Sequence, residues 1–155
     1  VPHLGGMINI THGEHPTTCL STVGATQDVP VTCSVCAKKA PWEIIQQTLT
    51  PMAKGIHDAN PDAELITWLY MPYEFGELAD WVYDIPTHLP EKVVLQFNFE
   101  SGVTKQVFGR GRKGGDYWLS TPGPSARFER MANLTRKANA PRRRAARQDP
   151  KARTA

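Results

Sequence analysis

The sequence predicts an α/β fold whose parallel strands alternate with helices, as in a fragment of a (β/α)8 TIM barrel. Two observations carry this. Three short apolar, β-branched runs, Gly6–Ile10, Glu64–Tyr70 and Val93–Phe99, are separated by stretches with helical periodicity. The spacing leaves room for a crossover between each pair of runs, and crossovers of that kind join parallel strands.

Gly6–Ile10 (GMINI) reads as a buried strand opened by a Gly pair. The next 30 or so residues have no periodicity and carry Pro16, Gly24 and Pro30, so they form a long loop; loops of that length in a compact domain are usually functional. A helix starts at Pro41, a favoured first-turn residue, with Glu43 placed to complement the helix dipole. Ile45, Leu49, Met52 and Ile56 make one apolar stripe on it, and Pro51 is expected to kink or split it. Pro61 ends it.

Glu64–Tyr70 (ELITWLY) is apolar almost throughout, the pattern of a strand buried on both faces. A shorter helix is expected from Glu74 to Val82, then a connector with two prolines, then the strand Val93–Phe99 closing at Glu100. The Gly109–Gly115 segment (GRGRKGG) lacks P-loop spacing and reads as an exposed loop. Tyr117–Leu119 reads as a brief strand, and Ser125 as the cap of a last helix ending near Ala138.

At 155 residues with 40% hydrophobic content the chain is long enough for one core. Its net charge of +3 is unevenly placed: residues 141–155 hold six Lys/Arg against one Asp, and subtracting that +5 leaves −2 for residues 1–140. Residues 1–140 therefore read as one domain, and 141–155 as a disordered basic tail. The acidic body argues against nucleic-acid binding. No apolar run approaches the roughly 18 residues of a membrane span, and no signal-peptide pattern opens the chain, although Val1 is not an initiator residue.

The chemistry-bearing residues gather after the first strand. Glu14 stands at its mouth and Glu100 at the end of the third, where two carboxylates can divide acid and base roles; solvated rim residues are the plain alternative. His12 and His15 flank Glu14 and suit hydrogen bonding to a substrate. Trp68 and Tyr70 share one face of the second strand, where aromatic rings either stack on a sugar or pack the core. Cys19, Cys33 and Cys36, spaced C-x13-C-x2-C, fit a structural zinc set completed by His12 or His15, or free thiols, or a Cys33–Cys36 disulfide. Three is an odd number, against a secreted disulfide framework. A Cys19–His15 nucleophilic pair has only sequence proximity behind it. His3, His57 and His88 belong to no constellation.

The succession GGMINITHGEHPTTC, CSVCAKKAPWEIIQQTLTPMAKGIHDANPDAELITW, LPEKVVLQFNFESG and GDYWLSTPGPSARFERMANLTRKA resembles a bacterial glycoside-hydrolase-like family of (β/α)8 barrels related to the family 20 β-N-acetylhexosaminidases. It runs from about His3 to Ala138, carried by the CxxC before a helix, the HxANPxA turn into a strand and the GDYxLSxPGP segment. The resemblance implies hydrolysis of terminal amino-sugars in a carbohydrate substrate, with no metal or organic cofactor required. It also implies that Glu14 is the general acid. The related hexosaminidases precede that acid with an Asp that orients the substrate's acetamido group; here the preceding residue is Gly13. A full barrel has eight strand–helix units in about 250 residues, so the remainder of the barrel would be missing from this chain and the chain alone inactive. The alternative from another class is a small zinc-stabilised α/β binding module without catalytic activity.

Overall fold

A computed structural model describes residues 4–13, 16–24, 28, 31–70, 77–98, 103–113 and 124–148. Three strands, β1 (Gly6–His12), β2 (Glu64–Leu69) and β3 (Val93–Phe97), form a parallel sheet in the order β1-β2-β3. Helix α1 (Pro41–Ala59) connects the first two, and α2 (Asp80–Asp84) with a 3-10 turn at Ile85–His88 precedes the third. A two-stranded antiparallel hairpin, β4 (Thr104–Val107) and β5 (Arg110–Lys113), follows, then helix α3 (Ala126–Gln148). The fold is therefore mixed α/β with a three-stranded parallel sheet, as the alternating pattern predicts.

The register decides which side chains share a face. Met7, Leu65 and Val93 lie abreast, as do Ile8, Ile66 and Val94. The face that carries Leu65, Leu69 and Val93 packs against Ile45, Leu49 and Ala53 of α1 and against Val82 and Ile85; all of these are buried. The other face is poorly covered: Ile8 is 57% and Val94 45% exposed. Glu64–Tyr70 is thus not buried on both faces. In β2 Leu65, Thr67 and Leu69 are buried, whereas Ile66 and Trp68 are only half-buried, because the helices lie on one side of the sheet.

Helix α1 is one helix, not two. Pro51 falls on its exposed side, away from Ile45, Leu49 and Ala53, so the packed stripe runs past it unbroken. Its first turn is closed by Glu43, whose Oε2 accepts the Ala40 N–H at 2.6 Å, as a capping residue does. The second helix is shorter and later than its pattern suggests. Residues 77–79 are not helical, Ala79 is extended, and the helical turns begin at Asp80; Glu74 and Phe75 lie outside the described residues. What fixes these turns is burial of Trp81, Val82, Tyr83 and Ile85 rather than the longer stripe.

The GRGRKGG segment is not an open loop. Its Arg110–Lys113 part pairs with Thr104–Val107 around a tight turn at Phe108 (φ 51°) and Gly109 (φ 73°). Positive φ at both central residues is the mirror-image turn that suits the twist of a hairpin. Phe108 is fully exposed at its tip. Ser125 caps α3 as expected, its Oγ accepting the Phe128 N–H at 3.2 Å. The helix runs past Ala138 to Gln148: the Arg/Ala sequence lacks an apolar face but is rich in good helix formers, and it continues the turns already nucleated. Tyr117–Leu119 lies outside the described residues. No helix of the described residues is long and apolar enough to cross a membrane.

Candidate functional site

The three parallel strands end on the same edge of the sheet, and among the described residues Thr11, His12, Trp68, Tyr70 and Asn98 lie at those ends. β1 runs two residues further than its apolar core, through Thr11 and His12, with a bulge between Ile10 and His12 against β2. Thr11 is fully buried and its hydroxyl lies 2.5 Å from that of Thr67, also fully buried. This pair fixes where β1 leaves the sheet. The chain then turns at Gly13, whose φ of +148° disfavours a side chain and whose added Cβ would sit 2.4 Å from the Tyr70 carbonyl oxygen. Glu14 and His15 come next, and they, like Glu100 after β3, lie outside the described residues.

Trp68 and Tyr70 meet as their alternation requires, ring centroids 4.9 Å apart in an edge-on arrangement. The Trp68 indole N–H donates to Asn98 Oδ1 at 2.8 Å, which ties the end of β2 to the end of β3. Tyr70 is buried and Trp68 half-buried. Asn98 was not marked by any motif; it lies just past the end of β3, two residues on from Gln96, which is the residue that pairs with Trp68 across the sheet. His12 is 5% exposed, with its ring edge-on to Trp81 of α2 at 5.9 Å. It therefore packs the core beside the rim instead of standing open in a pocket.

The cysteines form a second group. Cys19 opens a 3-10 turn (Cys19–Thr22) capped by Thr18, and Thr17 Oγ1 donates to the Thr11 carbonyl at 2.7 Å, anchoring this turn to the end of β1. Leu20 and Val23 reach from it into the core. Cys33–Cys36 is a turn of its own, with the N–H groups of Cys36 and Ala37 donating to the Cys33 carbonyl at 3.0 and 2.8 Å. The three sulfurs lie within 4.8 Å of one another. They are reduced and half-buried. Among the described residues the group contains only these three ligands, so His12 is not part of it.

The sulfurs differ in acidity. The Cys33 thiol is lowered to about 7, first because the Cys36 backbone N–H donates to it, then that of Val35, then the Cys19 thiol. The Cys19 thiol is pushed up to about 12, first by its hydrogen bond with Cys36 and then by that with Cys33. Three thiols held this close offer a cation sulfurs whose protons it can displace. The cluster could hold a metal ion.

His57 and His88, which belong to no constellation in the sequence, have structural roles. His57 Nε2 lies 3.1 Å from the Ala63 carbonyl oxygen. His88 stacks on Trp42 at 3.9 Å, the planes 13° apart.

Sheet order and cover define the class: a mixed α/β protein whose parallel strands follow one another in sequence, with helices packed on one face. No protein-family model matches the chain, nor does any curated protein or solved structure.

Proposed function

We propose that this chain is part of a (β/α)8-barrel glycoside hydrolase, with its reaction at the carboxyl rim of β1–β3. The observation that carries the proposal is the one-sided cover of a sequentially ordered parallel sheet. A doubly wound sheet reverses its strand order and takes helices on both faces, whereas a barrel keeps the order and turns one face inward. The face bearing Ile8, Ile66 and Val94 has the branched aliphatic residues that fill barrel interiors. Beside β3 a groove of about 730 Å³ opens toward α3, lined by Val94, Leu95, Phe97, Phe128 and Met131. The next parallel strand of the barrel, supplied by chain beyond these residues, would occupy it.

Catalysis on this reading begins at Glu14, which follows Gly13 out of the rim. Its carboxyl group gives a proton to the glycosidic oxygen as the bond to the anomeric carbon breaks and the leaving sugar departs. Water then adds to that carbon, and Glu100, which follows the third strand in the sequence, takes its proton. Trp68, held by Asn98 and backed by Tyr70, offers an indole surface of the kind that stacks on a sugar ring. His15 is a hydrogen-bonding partner for the sugar, and His12 supports the rim from the core. Hydrolysis of aryl N-acetylhexosaminides by the complete protein tests the proposal; absence of turnover on any aryl glycoside refutes it.

A second reading, a zinc-stabilised α/β binding module, is favoured by the three clustered sulfurs alone. A structural zinc is compatible with either reading, so metal content by itself does not choose between them.

A further inference from the structure

We infer that Cys19, Cys33 and Cys36 form a zinc site that staples the long loop after β1 to the turn before α1. Three features on different segments converge. First, the geometry is close to that of a bound ion. Zinc–sulfur bonds of about 2.3 Å in a tetrahedron put sulfurs about 3.8 Å apart. The three sulfurs already lie within 4.8 Å of one another, so closing around an ion needs movements of about 1 Å or less.

Second, the Cys33–Cys36 turn presents its two sulfurs together. The N–H groups of Cys36 and Ala37 donate to the Cys33 carbonyl at 3.0 and 2.8 Å, which closes the turn and keeps both thiols beside that of Cys19. A closed turn orients the sulfurs before the ion arrives, which reduces the ordering that binding would otherwise demand.

Third, the two ends of the staple are independently fixed. Cys19 rides on the turn whose Leu20 and Val23 are buried and whose Thr17 is bonded to β1. Cys36 packs against the same core, and Pro41 starts α1 five residues later. An ion held between them joins the Cys19 turn to the Cys33–Cys36 turn, next to the rim where β1 ends. Each coordinated thiol releases its proton to solvent, and the fourth tetrahedral position is open to water or one further donor. Three half-buried sulfurs leave a path for the ion to enter.

The whole chain, produced without an affinity tag that binds metals and purified under reducing conditions, is the material for the test. Elemental analysis is expected to give one zinc per chain. Replacement by Co(II) is expected to give an intense thiolate-to-cobalt charge-transfer band and the visible bands of a tetrahedral centre. Cys19→Ser is expected to weaken that band and Cys33→Ser to abolish stoichiometric uptake. Should a variant fail to fold, the wild-type chain still decides: a chelator is expected to lower its Tm, and zinc to restore it. Two outcomes overturn the inference. One is metal uptake no greater than in a chain lacking all three cysteines. The other is a Cys33–Cys36 disulfide in the purified protein whose reduced form takes up no Zn(II) or Co(II). Neither readout involves glycoside turnover, so the site can fail while the hydrolase reading stands, and the reverse.

Discussion

Removing the buried contact between Thr11 and Thr67 gives a measurable signature of how β1 is set against β2. Both side chains are fully buried and their hydroxyls lie 2.5 Å apart. Thr67→Val exchanges a hydroxyl for a methyl of similar volume. Thr11 keeps a bond from Asn9 Nδ2 at 3.0 Å and a weaker one to the Asn9 carbonyl at 3.3 Å, so it loses one partner of three. The expected cost is about 1–3 kcal/mol, that of leaving a buried hydroxyl under-satisfied. Thr11→Val should fall in the same range or above it, because Asn9 Nδ2 also loses its acceptor. The double variant removes both hydroxyls and strands neither. Its cost should be smaller than the sum of the singles by about 0.5–3 kcal/mol, as for residues in direct contact. Urea unfolding followed by far-UV circular dichroism, with unchanged m-values, measures all three. Additivity to within about 0.3–0.5 kcal/mol would show that the two hydroxyls do not meet, and the point where β1 leaves the sheet at Gly13 would need another cause.

Two more expectations concern the rim and the helical layer. Gly13→Ala forces a Cβ against the Tyr70 carbonyl at an unfavourable φ, and should lower the urea midpoint by the equivalent of about 1–3 kcal/mol; an unchanged midpoint would contradict the turn described. Tyr83 donates to Glu77 Oε1 at 2.8 Å with the Arg130 guanidinium 3.7 Å above its ring, and Arg130 reaches Asp80 at 3.0 Å. Its phenol is pushed up to about 12, first by burial and then by the hydrogen bond with Glu77. An unfolded tyrosine ionises near pH 10. The folded state therefore favours the neutral phenol. This contribution to stability is complete below about pH 10 and is lost as pH rises from there toward about 12. Tyr83→Phe should show a shallower loss of stability than wild type across that window; parallel curves would contradict the assignment.

Much of this architecture is written in apolar spacing. The three strand runs, the Ile45–Leu49 stripe of α1 and the Ser125 cap are local patterns, and the structure has each of them. Elements set by distant contacts are not legible in the same way. The Asp80–Asp84 turns depend on Trp81 and Ile85 finding α1 and the sheet, and Trp81 is also what His12 packs against. The Arg110–Lys113 strand looks like a loop because its partner among the described residues is another short polar strand, and its turn uses a bulky Phe108 at positive φ. At the candidate sites, alternation alone pairs Trp68 with Tyr70, but Asn98 is tied to Trp68 by a side-chain hydrogen bond across a sheet whose register pairs Trp68 with Gln96. The cysteine spacing suggests a cluster without saying that His12 is not part of it, and the bulge after Ile10 has no sequence mark.

The reading of the rim as a sugar-cleaving edge is tested most directly by the rate at which the complete protein hydrolyses an aryl N-acetylhexosaminide, measured beside its Glu14→Gln variant. Turnover by the wild type, reduced about 100- to 10,000-fold in the variant as for loss of a general acid, is the expected result. Equal rates in the two proteins, or no turnover of any aryl glycoside by the wild type, would contradict it.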